Sequence, residues 1–127
     1  MILGVGTDIV EIAHFKKVWK KTPTILERLF TPNELARSLS LAKKEAYYAK
    51  RFAAKEALSK AFGTGICSEI GWQDIEISND KKGTPVVALS PKACRFLQKK
   101  FKIKKPHIYL SLTDEKKYAM AFSVFTD

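Results

Sequence analysis

The sequence predicts an α+β fold in which an antiparallel sheet packs against one long central helix, and three observations carry that prediction. Residues 46–66, entered from Glu45, are filled by Ala, Leu, Lys, Glu and Arg with no Pro or Gly before Gly63. They read as a helix of about four to five turns capped at that glycine. Four short stretches, 72–78, 85–89, 106–113 and 118–125, have strand-like apolar patterning or are bounded by turn residues. A 46% hydrophobic fraction with 11% aromatics in 127 residues suits one folded domain, 1–127, with a modest core.

Residues 1–10 are rich in Ile and Val with Gly4 and Gly6 between them, as in a buried strand closely approached by other backbone or by a ligand. Asp8 interrupts this run, either as a functional carboxylate or as the cap of a helix starting near Glu11. In 11–21, Ile12, Phe15 and Trp19 form an inward stripe, His14, Lys17 and Lys21 share a basic face, and Val18 borders both. Pro23 ends that helix and a short one follows at 25–30. Thr31-Pro32-Asn33-Glu34 then supplies the cap, first-turn proline and capping box of a helix over 32–41.

Beyond the central helix, 67–71 is a loop, and 72–78 is a half-buried strand with Ile75 and Ile77 on one face and Asp74, Glu76 and Ser78 on the other. Turn residues 79–83 lead into the strand 85–89, so the two strands form a hairpin. Ser90 caps and Pro91 opens a helix to about residue 100, whose basic end KKFKIKK reads as solvated surface. The next strand places Ile108, Leu110 and Leu112 on one face and His107, Tyr109, Ser111 and Thr113 on the other, and a turn at 114–117 returns the chain to its last strand.

The net charge is +10, from 23 Lys and Arg against 13 Asp and Glu, so the expected partner is anionic: nucleic acid, membrane surface, phosphorylated cofactor or acidic protein. Cys67 and Cys94 have neither CxxC spacing nor a His cluster, which argues against a zinc motif or disulfide framework and fits a reducing cytosol. The start, MILGVGTDIV, lacks a basic n-region, and no apolar run approaches membrane-spanning length. A nucleic-acid module would explain the charge, but no RRM aromatic signature, KH loop or zinc pattern is present.

On the central helix Arg51, Lys55 and Ser59 line one stripe, Glu56 and Lys60 stand one turn apart beside it, and Phe52 lies one turn before Glu56. A solvated Glu56–Lys60 pair is worth only about 0.3–0.5 kcal/mol. The neighbouring Ala53, Ala54, Ala57 and Ala61 point to more, because small residues let another backbone or a flat ligand come close. The chemistry that unites these residues is a metal–phosphate site. Asp8 and Glu56 would be oxygen ligands of one Mg²⁺, which takes one or two carboxylates plus phosphate oxygens and water, with Arg51, Lys55, Ser59 and Lys60 facing the phosphates.

RFAAKEALSKAFGTGI at 51–66 and GVGTDIVEI at 4–12, followed by WQDIEI at 72–77, DKKGTP at 80–85 and LSLTDEKKYAMA at 110–121, resemble the holo-acyl-carrier-protein synthase family of 4′-phosphopantetheinyl transferases. Each motif is weak alone, but five in order across nearly the whole chain make the resemblance specific. It implies Mg²⁺-dependent transfer of 4′-phosphopantetheine from coenzyme A to a serine of acyl carrier protein, releasing 3′,5′-ADP, for fatty acid biosynthesis in the cytoplasm. The family's metal ligands fall on Asp8 and Glu56 and its phosphate-contacting lysine on Lys60, with Glu56 or a metal-ordered water assisting removal of the serine proton.

Gly83-Thr84-Pro85 matches the family's turn along the adenine. Many members carry Ser-His or Thr-His where this chain has Thr113-Asp114. Asp114 cannot lend positive charge to the 3′-phosphate, so Arg51 is expected to carry more of that contact. Carrier docking falls on His14, Val18, Lys21, Ile25 and Arg28, with Phe52 nearby. The resemblance also implies a homotrimer with sites between protomers, and neither nucleic acid nor a membrane as partner. A non-catalytic assembly domain of the same fold is the remaining alternative; unlike the enzyme, it should not be stabilised by coenzyme A with Mg²⁺.

Overall fold

Extended chain at β1 (Ile2–Glu11) runs directly into α1 (Ile12–Lys21) in the computed structural model, which describes residues 1–127. The chain continues through α2 (Ile25–Leu29), α3 (Pro32–Ser38), the long α4 (Glu45–Ala61), a 3₁₀ turn at Trp72–Asp74, β2 (Ile75–Asn79), β3 (Pro85–Leu89), α5 (Pro91–Phe101), β4 (His107–Asp114) and β5 (Tyr118–Thr126). The strands form not one sheet but two, a three-stranded antiparallel sheet in the order β1-β5-β4 and the separate β2-β3 hairpin.

The small residues of α4 admit a backbone, and that backbone is β1. Ala53, Ala54 and Ala57 are fully buried and Ala61 nearly so. A Cβ at Gly6 would collide with the carbonyl oxygen of Ala57, and one at Gly4 with that of Ala61. Only glycine lets strand and helix meet this closely. Ser123, opposite Gly6 on β5, fastens the contact by donating to the Ala57 carbonyl at 3.1 Å.

Two clusters flank this seam. Leu58, Phe62, Ile70, Ile75, Ile77, Leu97 and Phe125 join α4, the hairpin, α5 and the sheet. Phe15, Phe30, Tyr47 and Tyr48 join α1 and α2 to the start of α4, with Trp19, Phe52 and Trp72 against them. The capping box of α3 forms, Thr31 Oγ1 accepting from Glu34 N at 3.2 Å while Glu34 Oε1 accepts from Thr31 N at 2.8 Å. Such a cap contributes about 1 kcal/mol, and it also turns the Glu34 carboxylate inward.

α4 ends as the sequence predicts, closing at Phe62 just before the positive-φ Gly63. Two boundaries differ from the sequence reading. α3 stops at Ser38, short of residue 41. Residues 72–74 form a turn instead of opening a strand, because Asp74 Oδ2 accepts from Gly71 N at 2.8 Å, a local bond that competes with the ladder.

Candidate functional site

Asp8 lies within β1, opposite Ala121. The strand continues to Glu11 and α1 has no side-chain cap, so Asp8 is not the helix cap that the sequence allowed. Because α4 crosses β1, Lys60 reaches back to the strand. Its Nζ donates to the Thr7 carbonyl at 2.8 Å and stands 3.3 Å from Asp8 Oδ1. Lys60 thus pairs with Asp8 and not with its helical neighbour Glu56.

Burial pushes the Asp8 carboxyl above its ordinary range, against the opposing pull of Lys60. Glu56 is pushed up too, by burial first and by the charge of Asp8 second, with Lys60 again opposing. Two half-buried carboxylates within each other's field favour a shared cation. A shallow hollow of ≈ 310 Å³, lined by Thr7, Asp8, Ile9, Lys60 and Met120, opens at this point. No group of three or more His, Cys, Asp or Glu converges anywhere in the chain. The available donors are therefore two carboxylates, a set that suits an ion keeping water and phosphate oxygens as its other ligands.

Lys55 and Ser59 do not face that site, contrary to the sequence expectation. Lys55 is completely buried, and its ammonium donates to Glu34 Oε1 at 2.6 Å and to the carbonyls of Leu29 at 2.8 Å and Trp72 at 2.9 Å. All three N–H bonds are committed within the fold, and burial lowers its pKa despite Glu34 beside it. Ser59 is buried as well, with its hydroxyl donating to the Glu56 carbonyl at 2.8 Å. The stripe is real, but α2, α3 and the 3₁₀ turn cover it at Lys55.

Arg51, on the same stripe, opens instead into a second cleft. Its Nη2 donates to Asn79 Oδ1 at 2.5 Å, its guanidinium lies 4.0 Å from the Tyr47 ring centroid, and its buried Nε has no partner. Burial pulls its pKa down, so an anionic ligand would be welcome. The cleft, ≈ 370 Å³, is bordered by Arg37, Lys43, Lys50, Gly83 and Pro85 among others. Thr84 is exposed, with its backbone N–H held by Asp80 Oδ1 at 2.9 Å. Asp114 holds Lys50 at 3.1 Å.

Sequence reasoning missed Arg37, Lys43, Tyr47 and Lys50. Tyr47 carried a usable signal, one helical turn before Arg51, whereas the three cations were hidden in a generally basic composition. The Asp8 hollow and the Arg51 cleft share no lining residue. The fold does not bring the two sets into one cavity of a single chain.

Of the predicted docking residues, His14, Lys21 and Arg28 are exposed, and Val18, Ile25 and Phe52 are half-buried. Ile25 and Phe52 pack on one aromatic cluster, where Phe52 stacks on Trp72 at 5.3 Å. The outer face of the three-stranded sheet is bare and carries an apolar band, bordered by the exposed Thr7, Ser111 and Thr113. Val5, Ile9, Tyr109, Met120 and Phe122 there are 41% to 63% exposed.

Residues 4–123 match the model of the 4′-phosphopantetheinyl transferase superfamily. The chain is 46% identical over 121 residues to the holo-acyl-carrier-protein synthase of Photobacterium profundum, covering 94% of each. Its structure resembles the crystal structure of holo-acyl-carrier-protein synthase from Neisseria meningitidis, with a TM-score of 0.91, 36% identity and 100% coverage of both chains. It also resembles the Helicobacter pylori synthase in complex with coenzyme A, with a TM-score of 0.80, 32% identity and coverage of 96% of this chain and 99% of that one.

Proposed function

The chain belongs to the 4′-phosphopantetheinyl transferase superfamily, among its holo-acyl-carrier-protein synthases, and moves the 4′-phosphopantetheine arm of coenzyme A onto a carrier-protein serine; on that premise we propose the residue roles by which it does so. The observation that carries the reading is the pairing of Lys60 with Asp8 across the β1–α4 seam, with Glu56 one helical turn before Lys60. Asp8 and Glu56 would hold one Mg²⁺, which when bound supplies positive charge to the diphosphate.

Lys60, on a flexible stem beside Asp8, places its ammonium on the diphosphate as negative charge builds there. The serine Oγ forms a bond to the β-phosphorus while the bond from that phosphorus to the bridging oxygen breaks, and 3′,5′-ADP leaves with the bonding pair. Glu56, or a water ordered beside it, takes the serine proton.

The adenylate end falls to the other cleft. Arg51 receives the 3′-phosphate, Gly83, Thr84 and Pro85 lie along the adenine, and Asp114 acts through Lys50, whose ammonium it holds at 3.1 Å. Since the two sets of residues share no cavity, a coenzyme A spanning both would take them from neighbouring protomers. The bare sheet face, where Val5, Ile9, Met120 and Phe122 of β1 and β5 stand beside Tyr109 of β4, suits the seam of such a homotrimer. The basic α1 face, with Ile25, Arg28 and Phe52, docks the acidic carrier protein, and the reaction serves fatty acid biosynthesis in the cytoplasm.

Thermal melting separates this reading from its rivals. Coenzyme A with Mg²⁺ should raise the midpoint by several degrees at saturating concentration. No shift with coenzyme A and Mg²⁺, alongside a shift with duplex RNA, would favour a nucleic-acid binder; no shift with either would favour an empty scaffold.

A further inference from the structure

Seven of the chain's 23 Lys and Arg stand in one stretch that the site does not use. Between residues 91 and 113 lie Lys92, Arg95, Lys99, Lys100, Lys102, Lys104 and Lys105, and no Asp or Glu. Lys92, Arg95 and Lys99 follow one another along α5 at the spacing of one helix face, and all are exposed. The remaining four, also exposed, carry the charge through the helix end, where Lys102 adopts a left-handed conformation at φ 54.

Only Lys92 has an acidic partner, Asp74 at 3.1 Å. Glu69 is the acid that meets this surface, at a hollow it shares with Phe96, Lys99 and Lys100. The opposite side of α5 belongs to the core: Ala93 and Leu97 are fully buried and Phe101 stands edge-on to Phe125 at 5.0 Å. Six cations without an ion pair crowd one helix and the turn after it, and the single carboxylate of Glu69 leaves most of their mutual repulsion in place.

We propose that this surface, α5 with residues 102–105, docks the protein on the anionic headgroups of a lipid bilayer. Clusters of about four to eight Lys and Arg on an amphipathic helix have this chemistry. Two observations favour a bilayer over nucleic acid. Six of the seven cations are Lys, compact and strongly hydrated, which suits a diffuse plane of headgroups, whereas forked recognition of phosphates and bases uses Arg. The segment has only two aromatics, Phe96 and Phe101, both packed in part against the core, too few for the run of stacked bases that a single strand needs. The sequence offers no spanning run, and no helix is long and apolar enough to cross a membrane. Adsorption through headgroups needs no such helix.

Vesicle sedimentation tests this, using phosphatidylcholine vesicles with and without about 30% phosphatidylglycerol at low salt. The protein should sediment with the anionic vesicles only, and release at about 0.5 M salt. Lys99→Glu, Lys102→Glu, Lys104→Glu and Lys105→Glu together should weaken binding at least about tenfold while leaving carrier modification in solution unchanged. The same change in net charge made on α1, at Lys16, Lys17, Lys20 and Lys21, should leave most vesicle binding intact. If the reversed protein fails to fold by circular dichroism, Gln at the same four positions carries the same expectation. Binding to neutral vesicles, retention by the α5 variant, or equal loss in the α1 variant would overturn the proposal. So would a duplex RNA that strips the protein from vesicles at equal phosphate concentration.

Discussion

Asp8 and Glu56 are the residues whose loss should be most informative. Asp8→Asn or Glu56→Gln keeps size and removes one charge, so turnover should fall about a hundredfold or more, near 3 kcal/mol of transition-state stabilisation, when measured against Mg²⁺ concentration. Stability should move the other way. Both carboxyls bind protons more tightly folded than unfolded, so their contribution is present at acid pH and lost as pH rises through their raised folded values. Glu56→Gln without metal should therefore melt at or above the wild-type temperature at neutral pH; a lower midpoint would contradict the placement. Lys55→Met should do the opposite, because it leaves Glu34 buried without its cation. We expect a loss of about 3–5 kcal/mol in denaturant unfolding. Helical periodicity made the Arg51, Lys55 and Ser59 stripe legible in the sequence. Which side of the helix would be covered was not, since the partner that captures Lys55 is Glu34, on another helix and legible only as a capping residue.

The β1–α4 seam is the element on which the site depends. A methyl at Gly6 meets the Ala57 carbonyl, so Gly6→Ala should force helix and strand apart at a cost of about 1–3 kcal/mol. The same shift separates Asp8 from Glu56 and Lys60, and turnover should drop by at least about tenfold even where the protein stays folded. Unchanged turnover in a folded variant would show that the close approach serves packing alone. On α1, Lys21→Glu should raise KM for the carrier protein well beyond its effect on KM for coenzyme A, with added salt weakening the carrier in the wild type. Equal effects on both substrates would remove this face from docking. The long helix, the hairpin and the late strands were all legible from composition and alternation. The 3₁₀ turn at Trp72–Asp74 was not, because Asp74 leaves the ladder for a local hydrogen bond that periodicity does not register.

At the scale of the whole molecule, the bare sheet face and the two unjoined clefts belong to one expectation. Light scattering at micromolar concentration should give three times the chain mass, and Phe122→Glu, on the exposed face of β5, should lower both that mass and the activity. A fully active monomer would contradict a shared site. Five motifs in order made the family visible from sequence, but the division of the residues between two cavities appeared only in the fold, since motif order carries no information about which residues line one cavity. The most direct test of the reaction is mass spectrometry of an apo acyl carrier protein incubated with this protein, coenzyme A and Mg²⁺. The predicted result is a gain of one phosphopantetheine group per carrier, with 3′,5′-ADP released in equal amount. An unchanged carrier mass, under conditions where coenzyme A and Mg²⁺ do stabilise the protein, would contradict it.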